Sequence, residues 1–294
     1  MAVSLATAKA HVMTDPRIQL GAHTFIWAPR WDDCGARIVA SQAATAGVSI
    51  VEIPLLEPSR IDVDATVQIL TDHRLQPTCS LALPKEAHAP DHPEAAIEFL
   101  RGAIDTCAAI GSDWLTGALY GHLGLFTGEA PTRTEHRTIS DVLRHAADHA
   151  EQRGVRLGIE VINRYETHLI NTAEQAFDLL ESIDRPGTVC AHLDTFHMNI
   201  EEPDIGAAVR LLGDHLGYVH LAESDRGVIG HGTFPFRELF EALDDIHFGG
   251  PAVIEAFVNA PAELRIATAS WRSVAGDASS FLDASLSHIA AHLS

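Results

Sequence analysis

Lysine is nearly absent from this chain. Lys9 and Lys85 are its only copies, and 20 Lys and Arg stand against 40 Asp and Glu. The formal charge of −20, with no basic run to offset it, describes a surface that repels phosphate backbones and anionic lipid heads. Neither a nucleic-acid partner nor a membrane partner is expected. A Schiff-base aldolase needs its lysine inside the fold, whereas Lys85 follows Pro84 in what reads as a solvated loop. Cysteine is scarce too: Cys34, Cys79, Cys107 and Cys190 lack CxxC spacing. Three of them sit in apolar stretches, as small buried hydrophobes of a reducing compartment do. No run approaches the ~20 apolar residues of a membrane span, and MAVSLATAKAHVMTD lacks the apolar centre of a signal peptide. Residues 1–17 read as a loose N-terminal extension, residues 18–294 as one domain, and the location as cytoplasmic.

What is present is the composition of a globular protein, 46% hydrophobic and 20% charged. A unit recurs along it: an amphipathic helical stretch, a glycine, then a short apolar run. It is seen in ATAGVSIVEIPLL (44–56), AAIGSDWLTGALYG (108–121) and AEQRGVRLGIEVIN (150–163). The glycine suits a helix C-terminus that enters the left-handed region before a strand. The runs are continuously apolar, as strands covered on both faces are. Strands are predicted over 19–27, 49–55, 76–82, 114–120, 156–162, 189–193, 218–222 and 252–256. Helical stripes lie between them, with Ile97, Leu100, Ile104 and Cys107 on one and Ile139, Val142, Ala146 and Ala150 on another. A last amphipathic stretch spans 274–293. Eight strands alternating with helices, with no linker, predict an α/β fold: a single (β/α)8 TIM barrel.

In such barrels the chemistry sits at the C-terminal ends of the strands. Four apolar runs end on a polar group: Glu160 in RLGIEVIN, Asp194 in CAHLDTFH, His220 in GYVHLAES and Glu255 in PAVIEAFV. Taken singly, each is as well explained by a core ion pair or a charge reaching solvent. Equivalent positions on four consecutive strands favour convergence on the barrel axis. Three carboxylates and an imidazole form a hard oxygen and nitrogen site, suited to Mn²⁺, Mg²⁺ or Co²⁺. Glu166, His197 and Arg226 follow on the same loops. Each could be an ordinary loop residue; together they add donors and a carboxylate to the same rim.

The segments EVINRYETHLINTAEQA (160–176), LDTFHMNIEE (193–202), HLAESDRG (220–227) and VIEAFV (253–258) resemble the ketose 3-epimerases. These are the D-tagatose, D-allulose (D-psicose) and L-ribulose 3-epimerases of the xylose isomerase-like TIM barrels. The resemblance is dense from about residue 155 to 258 and in register elsewhere, including WR at 271–272. It implies metal ligation by Glu160, Asp194, His220 and Glu255, acid–base catalysis by Glu160 and Glu255, and substrate contacts from Glu166, His197 and Arg226. It also implies a divalent metal, Mn²⁺ first and Co²⁺ or Mg²⁺ next, and a homodimer or homotetramer. Expected pairs are D-fructose/D-allulose, D-tagatose/D-sorbose and L-ribulose/L-xylulose.

The chemistry agrees with the resemblance. Inverting a carbinol carbon beside a ketone removes a proton from one face and returns one to the other. A divalent cation on O2 and O3 stabilises the enediolate, and two carboxylates alternate as base and acid. His197 and Arg226 would face the growing negative charge. The match loosens around the sugar's far end, where Leu123 stands in place of a common aromatic wall and His23 where relatives carry Tyr or His. Phe25, Trp27 and Trp31 could line the opening but suit core packing better. Glu52 ends the second strand and carries no assigned role. Three alternatives share parts of this pattern. An aldose–ketose isomerase usually carries a lysine after the strand-five glutamate, where this chain reads VINRYE. A ketopolyol dehydratase shares the metal logic. A catalytically silent barrel would not need both carboxylates.

Overall fold

Strand-forming runs of Val, Ile and Leu bounded by capping residues and glycine give eight parallel strands. These are β1 (Gln19–His23), β2 (Ile50–Pro54), β3 (Gln76–Ala82), β4 (Trp114–Ala118), β5 (Arg156–Val161), β6 (Val189–Asp194), β7 (Leu216–Leu221) and β8 (Pro251–Ile254). In the computed structural model, which describes residues 17–273 and 275–293, they close into a barrel in sequence order, with β1 paired to β8. The outer layer holds α1 (Asp33–Ala46), α2 (Val63–His73), α3 (Pro93–Ala109), α4 (Arg133–Arg153) and α5 (Ala173–Ile183). It continues with α6 (Thr195–Glu201), α7 (Ile205–Leu212), α8 (Phe236–Asp245), α9 (Ala262–Ala267) and α10 (Ala278–Ala290).

Local chemistry sets the element boundaries. The side chain of Asp32 accepts from Gly35 N–H to start α1, and Thr132 with Glu135 and Thr172 with Gln175 form capping boxes on α4 and α5. Gly47 and Gly154 end α1 and α4 in the left-handed region, at φ 80° and 71°, as the recurring unit predicts. The two stripes read from sequence face inward: Leu100, Ile104 and Cys107 of α3 and Ile139, Val142, Ala146 and Ala150 of α4 are buried, with Ile97 at the edge. Truncating Leu100, which is 0% exposed, would cost about 2–5 kcal/mol.

Two boundaries differ from expectation in a way that matters for the site. The strand predicted over 19–27 ends at His23, because Phe25 N–H donates to His23 Nδ1 (3.1 Å) and turns residues 24–26 into a 3-10 turn. Residues 195–201 are the helix α6 rather than a loop, since Asp194 Oδ1 accepts from Phe196 N–H (2.7 Å) and caps it. Of the extension expected over residues 1–17, residues 1–16 lie outside the described residues; Arg17 pairs with Asp244 of α8.

The barrel's lower end is plugged by a small apolar cluster of Ile50, Trp114, Tyr218 and Val253. Above it the axis turns polar. Thr116 donates to Gly158 O (3.1 Å) and contacts His192 Nδ1 (2.6 Å). Gly158 is required here, because a Cβ would lie 2.5 Å from Thr116 Oγ1. Among the described residues no helix is long and apolar enough to cross a membrane.

Candidate active site

Side chains alternate along a strand, so residues two apart share the barrel's inner face. Glu160 on β5, His192 and Asp194 on β6, and Tyr218 and His220 on β7 therefore point inward, with Asp194 in register with His220. Glu255 lies one residue beyond β8. Glu160, Asp194, His220 and Glu255, the four residues singled out at strand ends, are brought together here. His220 Nδ1 lies 3.9 Å from Glu160 Oε1, 4.0 Å from Asp194 Oδ2 and 3.6 Å from Glu255 Oε1. Asp194, His220 and Glu255 each offer an atom within 4.8 Å of the others.

Asp194 Oδ2, His220 Nδ1 and the second carboxylate oxygen of Glu255, Oε2, are buried and make no hydrogen bond within the protein. Buried polar atoms are normally partnered, so unpartnered atoms of the hard oxygen and nitrogen type on three residues whose ligand atoms cluster within 4.8 Å fit a divalent cation. The electrostatics agree. Glu160 is held well above the usual carboxylate range, first by burial and then by Glu255 and Asp194, with His220 pulling the other way. Burial, against the pull of His220 and Arg226, pushes Glu255 up to about 7. Burial alone would depress His220, but Glu52 and Glu255 outweigh it and raise the ring to about 10. The cluster strains toward protonation, and a dication would relieve that strain.

Glu166, His197 and Arg226 reach the same centre. His197 Nε2 lies 3.6 Å from Glu160 Oε1 and 3.7 Å from Asp194 Oδ2. Its tautomer follows from Asn163, a residue the sequence did not single out. Tyr165 N–H donates to Asn163 Oδ1, so the amide nitrogen donates to Glu166 Oε1 (2.9 Å) and to His197 Nδ1 (2.7 Å). The proton of His197 then sits on Nε2, facing the cavity. Burial keeps this ring's pKa low, which preserves that neutral form.

Arg226 is clamped between Phe196 and Phe257, its guanidinium carbon 4.1 and 4.3 Å from the ring centroids. Its NH2 lies 3.6 Å from Glu255 Oε2. Its backbone adopts φ 58°, held by its N–H donating to Glu223 O (2.8 Å). The Glu223 carboxylate in turn accepts from the backbone N–H groups of Ser224, Gly230 and Phe234, which fixes the loop. The two glutamates of DTFHMNIEE act as tethers: Glu201 accepts from Arg164 (2.7 Å) and Glu202 from Ala173 N–H (2.7 Å). They hold α6 against the loop that carries Glu166 and against the start of α5.

A cavity of about 100 Å³ opens above the cluster, lined by Glu160, Glu166, His197, His220, Arg226 and Glu255 at its base. Its far wall is mostly apolar: Phe25, Leu56, Leu123, Phe257 and Leu264, with Ser80 and Thr268 as hydroxyls and His23 at the side. Leu123 and Phe25 thus reach the opening, whereas Trp27 and Trp31 are buried in the core and Trp31 Nε1–H donates to Thr66. Lys85 is exposed. One fully buried residue that sequence reasoning left unassigned is Glu52. It is 0% exposed, and its Oε2 accepts from Tyr218 OH (2.6 Å) and from His220 Nε2–H (2.8 Å).

A family model described as xylose isomerase-like TIM barrel matches residues 40–274. The chain is 37% identical over 245 residues to the L-ribulose 3-epimerase of Methylomonas sp. (strain DH-1), covering 82% of this chain and 85% of that one. It is 33% identical over 267 residues to the ketose 3-epimerase of Arthrobacter globiformis, covering 88% and 91%. It superposes on the crystal structure of the D-allulose 3-epimerase from Methylomonas sp. in complex with D-allulose with a TM-score of 0.90. That match is at 34% identity and covers 95% of this chain and 98% of the other.

Proposed function

Since the chain belongs to the xylose isomerase-like TIM-barrel family, within its ketose 3-epimerase branch, we propose that it is a metal-dependent ketose 3-epimerase. Its substrates are free ketoses, such as D-fructose/D-allulose, D-tagatose/D-sorbose and L-ribulose/L-xylulose. The observation that carries this reading is the placement of Glu160 and Glu255 beside the same imidazole nitrogen, 3.9 and 3.6 Å away, under a cavity that His197 and Arg226 also line.

Glu160, Asp194, His220 and Glu255 would hold the cation, with Mn²⁺ the best fit and Co²⁺ or Mg²⁺ as substitutes. Once bound, it would draw charge from the sugar's C2 and C3 oxygens and so acidify the proton on C3. This chain's residues do the rest. One of Glu160 and Glu255 takes that proton from its side of the sugar, and the other returns a proton from the opposite side. The two exchange roles with the epimer bound. Burial raises the proton affinity of both carboxyls and a bound cation would lower it again, so each can take up and release a proton in turn. His197 Nε2–H and the Arg226 guanidinium face the charge that builds on the ketone oxygen. Glu166, steadied by Asn163, takes a neighbouring hydroxyl.

The reading includes a cytoplasmic homodimer or homotetramer. Its test is chromatography of ketoses incubated with the protein, with and without a chelator. A C3 epimer formed only with metal present supports it. An aldose product, or loss of water, would replace it with isomerase or dehydratase chemistry.

A further inference from the structure

Beneath His220 the barrel holds a carboxylate to which the proposed reaction gives no part. Glu52 is the middle residue of β2, IVEIP, and is 0% exposed. A charge buried there is costly unless hydrogen bonds meet it. The bonds that meet Glu52 are directional. A carboxylate only accepts, so Tyr218 OH (2.6 Å) and His220 Nε2–H (2.8 Å) both donate to Oε2. With the Tyr218 proton so used, Thr78 Oγ1–H donates to the phenol oxygen (2.8 Å). The other oxygen, Oε1, faces His23 Nε2 at 3.5 Å. His23 Nδ1 accepts from Phe25 N–H, so Nε2 carries that ring's proton.

The consequence falls on His220. With Nε2–H committed to Glu52, the ring is fixed in rotation and turns Nδ1 toward Glu160, Asp194 and Glu255, where a cation would displace its proton and take the lone pair. The carboxylate partner also makes the imidazole a stronger donor to a cation. We propose that Glu52 is a positioning residue that turns His220 toward the divalent cation and sets the affinity of the site for it. The inference rests on the metal-dependent reading above. It extends that reading to a residue from β2, on the far side of the barrel from β5 to β7.

The test is equilibrium dialysis of Mn²⁺ against metal-free wild-type, Glu52→Gln and Tyr218→Phe proteins, with melting of each metal-free form. Glu52→Gln should bind Mn²⁺ about 10- to 100-fold more weakly and regain turnover at saturating Mn²⁺. Tyr218→Phe, which keeps the carboxylate on His220, should stay close to wild type. Wild-type affinity in Glu52→Gln, whatever its melting temperature, would reduce Glu52 to a structural role and leave the epimerase reading intact. Failure of the wild type to bind any divalent cation would remove both. A second measurement does not depend on the variant folding. Long-range ¹H–¹⁵N spectra of Mg²⁺-loaded wild type should show the His220 ring protonated at Nε2, and a proton on Nδ1 would overturn the proposal.

Discussion

Glu255 is the residue on which the chemistry turns, because it is one of the two proposed proton carriers and stands between His220 and Arg226. Glu255→Gln keeps the shape and removes the proton exchange, so kcat should fall about 10²- to 10⁴-fold with an unchanged circular dichroism spectrum. Near-normal turnover would remove the two-carboxylate mechanism. His23 makes a separate prediction for stability. Burial, opposed by Glu52, lowers its pKa from 6.5 to about 4. The folded state therefore binds this proton less readily than the unfolded chain. The stability it contributes is present above about 6.5 and is lost as pH falls toward 4, at most about 3 kcal/mol. Urea unfolding between pH 7 and 4 should show that loss, and His23→Asn should flatten it. Glu160, Asp194, His220 and Glu255 were legible in the sequence because each is a charge ending an apolar run. Glu52 and Asn163 were not. Glu52 looks like one more strand-end charge, and its partners Tyr218 and His220 are 166 and 168 positions away. Asn163 looks like an ordinary turn residue until its amide is seen bridging Glu166 and His197.

Among the elements, the junction of β6 with α6 positions the site. Thr195, 0% exposed, donates to Ala222 O (2.6 Å) and accepts from Ala222 N–H (2.7 Å), which stitches the end of β6 to the end of β7. Thr195→Ala would leave both backbone groups buried without partners, a loss of about 1–3 kcal/mol to be read as a shift in urea midpoint. A stability unchanged from wild type would show that water replaces the hydroxyl. The alternation of strand and helix was legible because apolar runs and glycine stops are local signals. The helix over 195–201 was masked by its own composition, since DTFHMNIEE reads as a polar loop. It becomes a helix because Asp194 caps it, Glu201 pairs with Arg164, and Glu202 just past its end accepts from the first N–H of α5. The early end of β1 likewise comes from one side-chain bond, His23 to Phe25 N–H, which no periodicity reports.

For the whole molecule, an acidic chain of formal charge −20 gathers Glu52, Glu160, Asp194 and Glu255 at its centre, with the Arg226 guanidinium beside Asp194 and Glu255. Chelation should therefore destabilise the entire barrel rather than one loop. Restoring Mn²⁺ to about 100 times its dissociation constant should return about 2.7 kcal/mol, seen as a rise in Tm. A Tm indifferent to chelator and metal would argue against a resident cation. The central claim is that a proton leaves and returns at C3, and isotope exchange reads that directly. D-fructose, D-tagatose and L-ribulose would each be incubated with the protein and Mn²⁺ in D₂O and followed by NMR. Deuterium at C3, appearing with the C3 epimer, is the predicted result. Deuterium at C1, or no exchange into any ketose, would contradict it.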